Sequence, residues 1–197
     1  MDLQQYVKNA TRTESKLEVI NTNYSNLMDA MTIFVKAGNL LDMIKKNIFY
    51  GKSINPDDWE ENFMSIFNIT IQDTTLKSGH ETLEINPRLF HALIGIATES
   101  TELIEAIVNS ITTHQDIDHI NVLEEIGDIG WYTAIAIDAT GGNWEDVLDT
   151  NIKKLKARYP DKFTSDNAIN RNTHNERKIL ETQEYDDSRC FQSNNDY

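Results

Sequence analysis

The 197-residue chain contains only three prolines, Pro56, Pro87 and Pro160, and each stands where an apolar helical pattern begins or ends. Proline cannot sit inside a helix without breaking it, so their placement leaves long uninterrupted stretches free to be helical. Apolar residues at Leu27, Met31, Phe34, Leu40, Leu41, Ile44 and Ile48 recur at helical spacing and predict a helix over 24–50. Asn55-Pro56-Asp57 then starts a short amphipathic helix over 57–68, with Asp57 or Asp58 near its cap. Asn86-Pro87 opens a long helix to about Ile111, carrying Leu89, Leu93, Ile96, Leu103, Ile104 and Ile107. Asp118 or Asn121 caps the next, which runs to about Ala139 and ends at Gly141-Gly142. Asn143 caps a further helix through about Tyr159, and a short one is expected around His174–Thr182. The pattern predicts an all-α fold.

The organisation follows from these breaks. Residues 1–70 form a first helical half with an N-terminal segment, and 71–84 a linker, since Ile69–Glu84 is β-branched and polar without period. A short strand pair is the alternative reading of that stretch. Residues 85–163 form the second helical half, and 164–197 a polar extension whose last dozen residues read as disordered.

A formal charge of −14 excludes a binder of nucleic-acid polymers, which needs a basic face to release counterions. Cys190 is the single cysteine, so no internal disulfide forms. No run of about 18 apolar residues is present, and Met1–Thr13 is polar rather than signal-like. The expectation is a cytoplasmic protein (host cytoplasm if viral) that does not enter membranes.

Two carboxylate pairs carry the chemistry: Glu99-Ser-Thr-Glu102 and Glu125-Ile-Gly-Asp128. Residues three apart share a helix face, so each pair is a clamp, and antiparallel packing of their helices turns the clamps toward each other. A chain with 32 acidic residues yields such spacings by chance, usually on a solvated face. Here the acids interrupt apolar surroundings: Ile96 and Leu103 flank the first pair, and Leu123, Ile126, Ile129 and Trp131 bracket the second. Gly95, Gly127 and Gly130 stand beside them although glycine inside a helix costs roughly 1 kcal/mol relative to alanine. Close helix approach or room for a ligand explains them. Four carboxylates at close range repel unless cations neutralise them, and oxygen-only ligands select Mg²⁺, with Mn²⁺ as a substitute, over zinc. A di-iron bundle needs Glu-x-x-His pairs, which are absent at these positions.

The E-x-x-E, spacer, E-x-x-D arrangement resembles the signature of the MazG-like all-α nucleoside triphosphate pyrophosphohydrolases, relatives of the dimeric dUTPases and dCTPases. The resemblance covers Pro87 to Phe163, including Leu-Glu-Glu-Ile-Gly-Asp-Ile-Gly-Trp-Tyr (123–132) and the run from Asn151 to Phe163. It implies an antiparallel four-helix-type bundle, assembled as a dimer or tetramer, and hydrolysis of a nucleoside triphosphate to the monophosphate and pyrophosphate. It implies Glu99, Glu102, Glu125 and Asp128 as Mg²⁺ ligands, one of them orienting the attacking water. It implies Asn151, Lys154 and Arg158 as contacts to phosphates or the metal's surroundings, and Tyr132 as a base-stacking ring. Trp131 is its alternative, although both aromatics also suit a core. Lys154 and Arg158 equally suit a solvated basic helix end. Pocket residues come from His91, Phe90, Trp59 or the N-terminal segment.

The first half echoes the second. Residues 34–42 align with 97–105 at an offset of 63, and 59–64 with 123–128 at an offset of 64. Lys36, Asn39 and Met64 then replace Glu99, Glu102 and Asp128, and only Glu61 survives, opposite Glu125. The chain is expected to be a pseudo-dimer with one degenerate half, which supplies Lys45, Lys46 or Lys52 to the phosphates. Two further readings of function remain: a pyrophosphohydrolase of another substrate, of the phosphoribosyl-ATP or alarmone type, and a non-catalytic nucleotide-binding or regulatory module.

Overall fold

The structure, a computed structural model, describes residues 2–15, 24–67 and 86–181. Among them, every regular element is a helix: α1 Leu3–Arg12, α2 Tyr24–Tyr50, α3 Pro56–Phe67, α4 Pro87–Thr113, α5 His119–Ala139, α6 Trp144–Arg158, α7 Ser165–Ile169 and α8 Thr173–Leu180. None of these is long and apolar enough to cross a membrane. The expected linker, 71–84, and the last dozen residues lie outside the described residues.

The helix starts are fixed by side chains that accept orphan amide protons. Asn86 accepts from Arg88 at 2.9 Å and Leu89 at 3.3 Å, and Asp118 accepts from Ile120 at 2.9 Å and Asn121 at 3.3 Å. Asn143 does the same for Glu145 and Asp146. At α3 the acceptor is Asn55, 3.0 Å from the Asp57 amide, rather than Asp57 or Asp58. Pro56 takes the first helical position and hands capping to the residue before it, which leaves both aspartates in a first turn where the helix dipole favours them.

Contacts divide the chain into two compact units. The first holds α1, α4, α5 and α6 through Ile152. Here α4 and α5 form an antiparallel hairpin through residues 114–118, where His114 adopts a left-handed conformation (φ 56°). Arg88 meets Asp138, Gly95 meets Tyr132, and Glu99 meets Glu125, so residues rising along α4 meet residues falling along α5. A Cβ on Gly95 would lie 2.2 Å from the Tyr132 ring, so only glycine lets that ring lie against α4. The core is Ala92, Ala134, Ile135, Ile137 and Ala139.

Helix α1, which the sequence did not announce, packs on α5 in this unit. Three consecutive residues after it hold it down. The Trp131 indole donates to Thr13 at 2.9 Å, Ser15 Oγ lies 3.5 Å from His91 Nδ1, and Glu14 accepts from the Arg88 Nε at 2.9 Å. Arg88 also donates to Asp138 at 2.8 Å. Burial alone would lower the Arg88 pKa, but the two carboxylates raise it well above its ordinary value.

The second unit holds α2, α3, the end of α6, α7 and α8 through Lys178. Helices α2 and α3 pack together, and the Lys36 ammonium donates to the Ser65 carbonyl. Arg158 donates two bonds to Glu176, from Nε at 2.8 Å and Nη2 at 2.6 Å, and Arg171 adds another at 2.6 Å. Glu176 is only 5% exposed. Hydrogen bonds from Arg158 and then Arg171 hold its carboxyl well below the usual range, at about 2.

A depressed carboxylate pKa contributes stability that is complete above the unfolded value and is lost as pH falls through the folded one. Acidification from pH 4.5 towards 2 therefore removes it. Glu176→Gln is expected to cost about 3 kcal/mol at pH 7, since it leaves the largely buried Arg158 without its carboxylate partner. Urea titrations across that pH range check this: the gap between wild type and variant should close as pH falls.

Candidate metal centre

The hairpin register brings three of the four expected acids together. One carboxylate oxygen each from Glu99, Glu102 and Glu125 lies within 4.8 Å of the others. Glu99 is half-buried, Glu102 exposed and Glu125 buried, so the cluster is reached by solvent at Glu102. Asp128, on the exposed side of α5, is outside this trio. It is still near enough to act on Glu99, Tyr132 and Tyr6.

The electrostatics are those of an anion cluster. Burial, the neighbouring Glu102 charge and a hydrogen bond shared with Glu125 raise the Glu99 pKa, and Glu125 and Asp128 add to the rise. The Asn121 amide donates to Glu125 Oε1 at 2.6 Å, one helical turn earlier on α5. Asn121 entered the sequence reading only as a candidate cap; its i, i+4 spacing to Glu125 is the signal that marks it. With no histidine or cysteine in it, the donor set fits a hard divalent cation.

An aromatic cluster adjoins the acids. Trp131 and Tyr132 meet edge to face at 4.8 Å, and His91 packs edge-on against Tyr132 at 5.5 Å and Trp131 at 6.4 Å. Burial, then the charges of Glu99 and Asp128, raise the Tyr132 pKa. Trp131 is turned toward Thr13. Tyr6 of α1 is an addition the sequence did not suggest. Its hydroxyl lies 3.4 Å from the Gly127 carbonyl, and its ring packs edge-on against Trp144 at 5.7 Å.

The remaining expected contacts are placed as follows. Asn151 is exposed on α6, and Lys154 is half-buried in the second unit. Arg158, also there, is engaged by Glu176. Lys45 and Lys46 both pair with Asp42, Lys45 at 2.6 Å. Lys52 follows α2, and its carbonyl accepts from Asn47 at 2.9 Å. Phe90 lies on α4, and Trp59 on α3 is half-buried.

On this helical hairpin Glu99, Glu102 and Glu125 form a carboxylate group able to hold a metal ion. Residues 91–163 match the family model described as the MazG nucleotide pyrophosphohydrolase domain. Its members are nucleotide pyrophosphohydrolases, which supports hydrolase activity. The matched segment contains all four acids, Tyr132 and α6. No curated protein and no solved structure matches the chain.

Because Glu99 holds its proton more tightly in the folded protein, its ionisation costs stability as pH rises through its raised folded pKa. That cost is absent below the unfolded value of 4.5. A cation at the trio removes it. Mg²⁺ at a hundredfold excess over Kd is expected to add about 2.7 kcal/mol at pH 7.5, or about 5–10 °C in Tm, and far less at pH 5. Thermal melts with and without Mg²⁺ measure this. Asn121→Ala should weaken Mg²⁺ binding about 10-fold by freeing the Glu125 carboxylate, as read by the same melts over a Mg²⁺ series.

Proposed function

We propose that the protein hydrolyses nucleoside triphosphates, ribo- or deoxyribo-, to the monophosphate and pyrophosphate in a Mg²⁺-dependent reaction. The carboxylate trio inside the MazG-matched segment is the observation that carries the reading. Glu99, Glu102, Glu125 and Asp128 hold Mg²⁺, with Mn²⁺ as a substitute, and Asp128 joins the trio by side-chain rotation. The cation supplies neutralisation of phosphate charge and a water of lowered pKa. One carboxylate of the set orients that water, and Asn121 fixes Glu125 in place for its part. Tyr132, between the acids and His91, offers a ring face for the base, with Trp131 behind it. The family resemblance adds Asn151, Lys154 and Arg158 as phosphate contacts, and Lys45, Lys46 and Lys52 as further ones from the first half.

The repeat is part of this reading. Tyr24 to Pro87 and Tyr50 to Thr113 are both 63 positions, so α2 and α4 share both limits at the offset where their sequences align. Leu41, Ile44 and Ile48 on α2 are exposed, as are Ile104, Ile107 and Ile111 on α4 at that offset. Matched unpartnered apolar stripes support descent from a duplicated helical pair and assembly into a dimer or tetramer. With no membrane-crossing helix among the described residues, the cytoplasm is the proposed location.

Pyrophosphate release across the common NTPs and dNTPs, with and without Mg²⁺, tests the activity. Metal-dependent release on at least one of them is expected. Glu125→Gln should abolish turnover by about 100-fold or more, exceeding the loss typical of an outer partner of a metal ligand. A variant that turns over normally would remove the trio from the reaction. Metal binding without turnover of any common nucleotide would move the assignment to an unusual pyrophosphate substrate.

A further inference from the structure

We propose that Tyr6 is a positioning residue of the metal centre, its hydroxyl orienting Asp128 for the cation; this rests on the metal-site reading above. Helix α1 lies outside the matched segment 91–163, so family membership assigns it no role. Its geometry does. The Tyr6 ring is fixed edge-on against Trp144 at 5.7 Å and 72°, which aims the hydroxyl at the Gly127–Asp128 turn of α5. Gly130 keeps the space open: a Cβ there would stand 3.3 Å from the hydroxyl.

The hydroxyl's contact is too weak to explain its placement as packing. The Gly127 carbonyl lies inside α5, where helical geometry already gives it the Trp131 amide. A second donor at 3.4 Å adds little. A phenol has one proton to donate and two lone pairs, and a small rotation redirects the proton from the carbonyl to a carboxylate. Asp128 is the next residue and is the expected ligand left outside the trio. Among the acids it is also the exposed one on α5, with more freedom to turn than buried Glu125. A hydrogen bond from Tyr6 to one Asp128 oxygen leaves the other directed at the cation, the arrangement that ligating carboxylates ordinarily need.

Tyr6→Phe keeps the ring on Trp144 and deletes only the hydroxyl. Thr13→Val loosens the same helix elsewhere, removing the bond to Trp131. Mn²⁺ affinity of the full chain, measured calorimetrically without nucleotide, separates the roles. Tyr6→Phe is expected to bind Mn²⁺ about 10-fold more weakly, while Thr13→Val binds as wild type does. An unchanged Tyr6→Phe affinity would overturn the proposal. So would an equal fall in both variants, because α1 would then act only by docking. Wild type and Tyr6→Phe that bind Mn²⁺ equally well sink this inference alone; wild type that binds none sinks the metal reading with it.

Discussion

The mutual repulsion of Glu99, Glu102 and Glu125 is the constraint on which the rest of the first unit depends. Three carboxylate oxygens within 4.8 Å oppose folding in the absence of a cation. Something must hold α4 and α5 together against it. Above the acids, Tyr132 lies on Gly95, and Ala92, Ala134 and Ile135 fill the seam. At the far end, Arg88 ties α4 to α5 through Asp138 and to the segment after α1 through Glu14. The apolar seam and the arginine clamp stabilise the arrangement that the acids disfavour. Strain of this kind concentrated at one spot is typical of a binding site.

The same constraint explains the choice of neighbours. Asn121 donates to Glu125 rather than neutralising it, which fixes the carboxylate and preserves its charge for a cation. Tyr132 and Tyr6, with pKa values pushed up by burial and by nearby carboxylates, remain hydrogen-bond donors at neutral pH. No lysine or arginine pairs with the trio among the described contacts, while Asp42, Glu14 and Glu176 each have such a partner. The acids of the trio differ from ordinary structural acids in this respect. In the second unit Lys36 stands at the position aligned with Glu99 and bridges α2 to α3 directly.

Much of this was legible in the sequence because the signals are local. Helical spacing, three prolines and the caps Asn86, Asp118 and Asn143 locate α2 to α6 closely, since each depends on residues within one or two turns. The acids were legible for the same reason, as i, i+3 pairs on apolar helices. Helix α1 was not, because its apolar face is only Leu3, Tyr6, Val7 and Ala10 amid polar residues, and it is stabilised by tertiary packing on α5. Helix α7, at five residues, is too short to show a period. The ties of Arg88 to Glu14 and of Tyr6 to Gly127 span 74 and 121 positions and leave no local pattern. The engagement of Arg158 by Glu176, 18 positions on, was equally silent.

Which bond of the triphosphate is cleaved tests the metal centre most directly. Phosphorus NMR of a nucleoside triphosphate incubated with the full chain and Mg²⁺ reads the products without a coupling enzyme. Monophosphate and pyrophosphate appearing together, and only with the cation present, is the predicted result. Diphosphate and free phosphate, or the same products at the same rate after chelation, would contradict the carboxylate cluster as the centre of the chemistry.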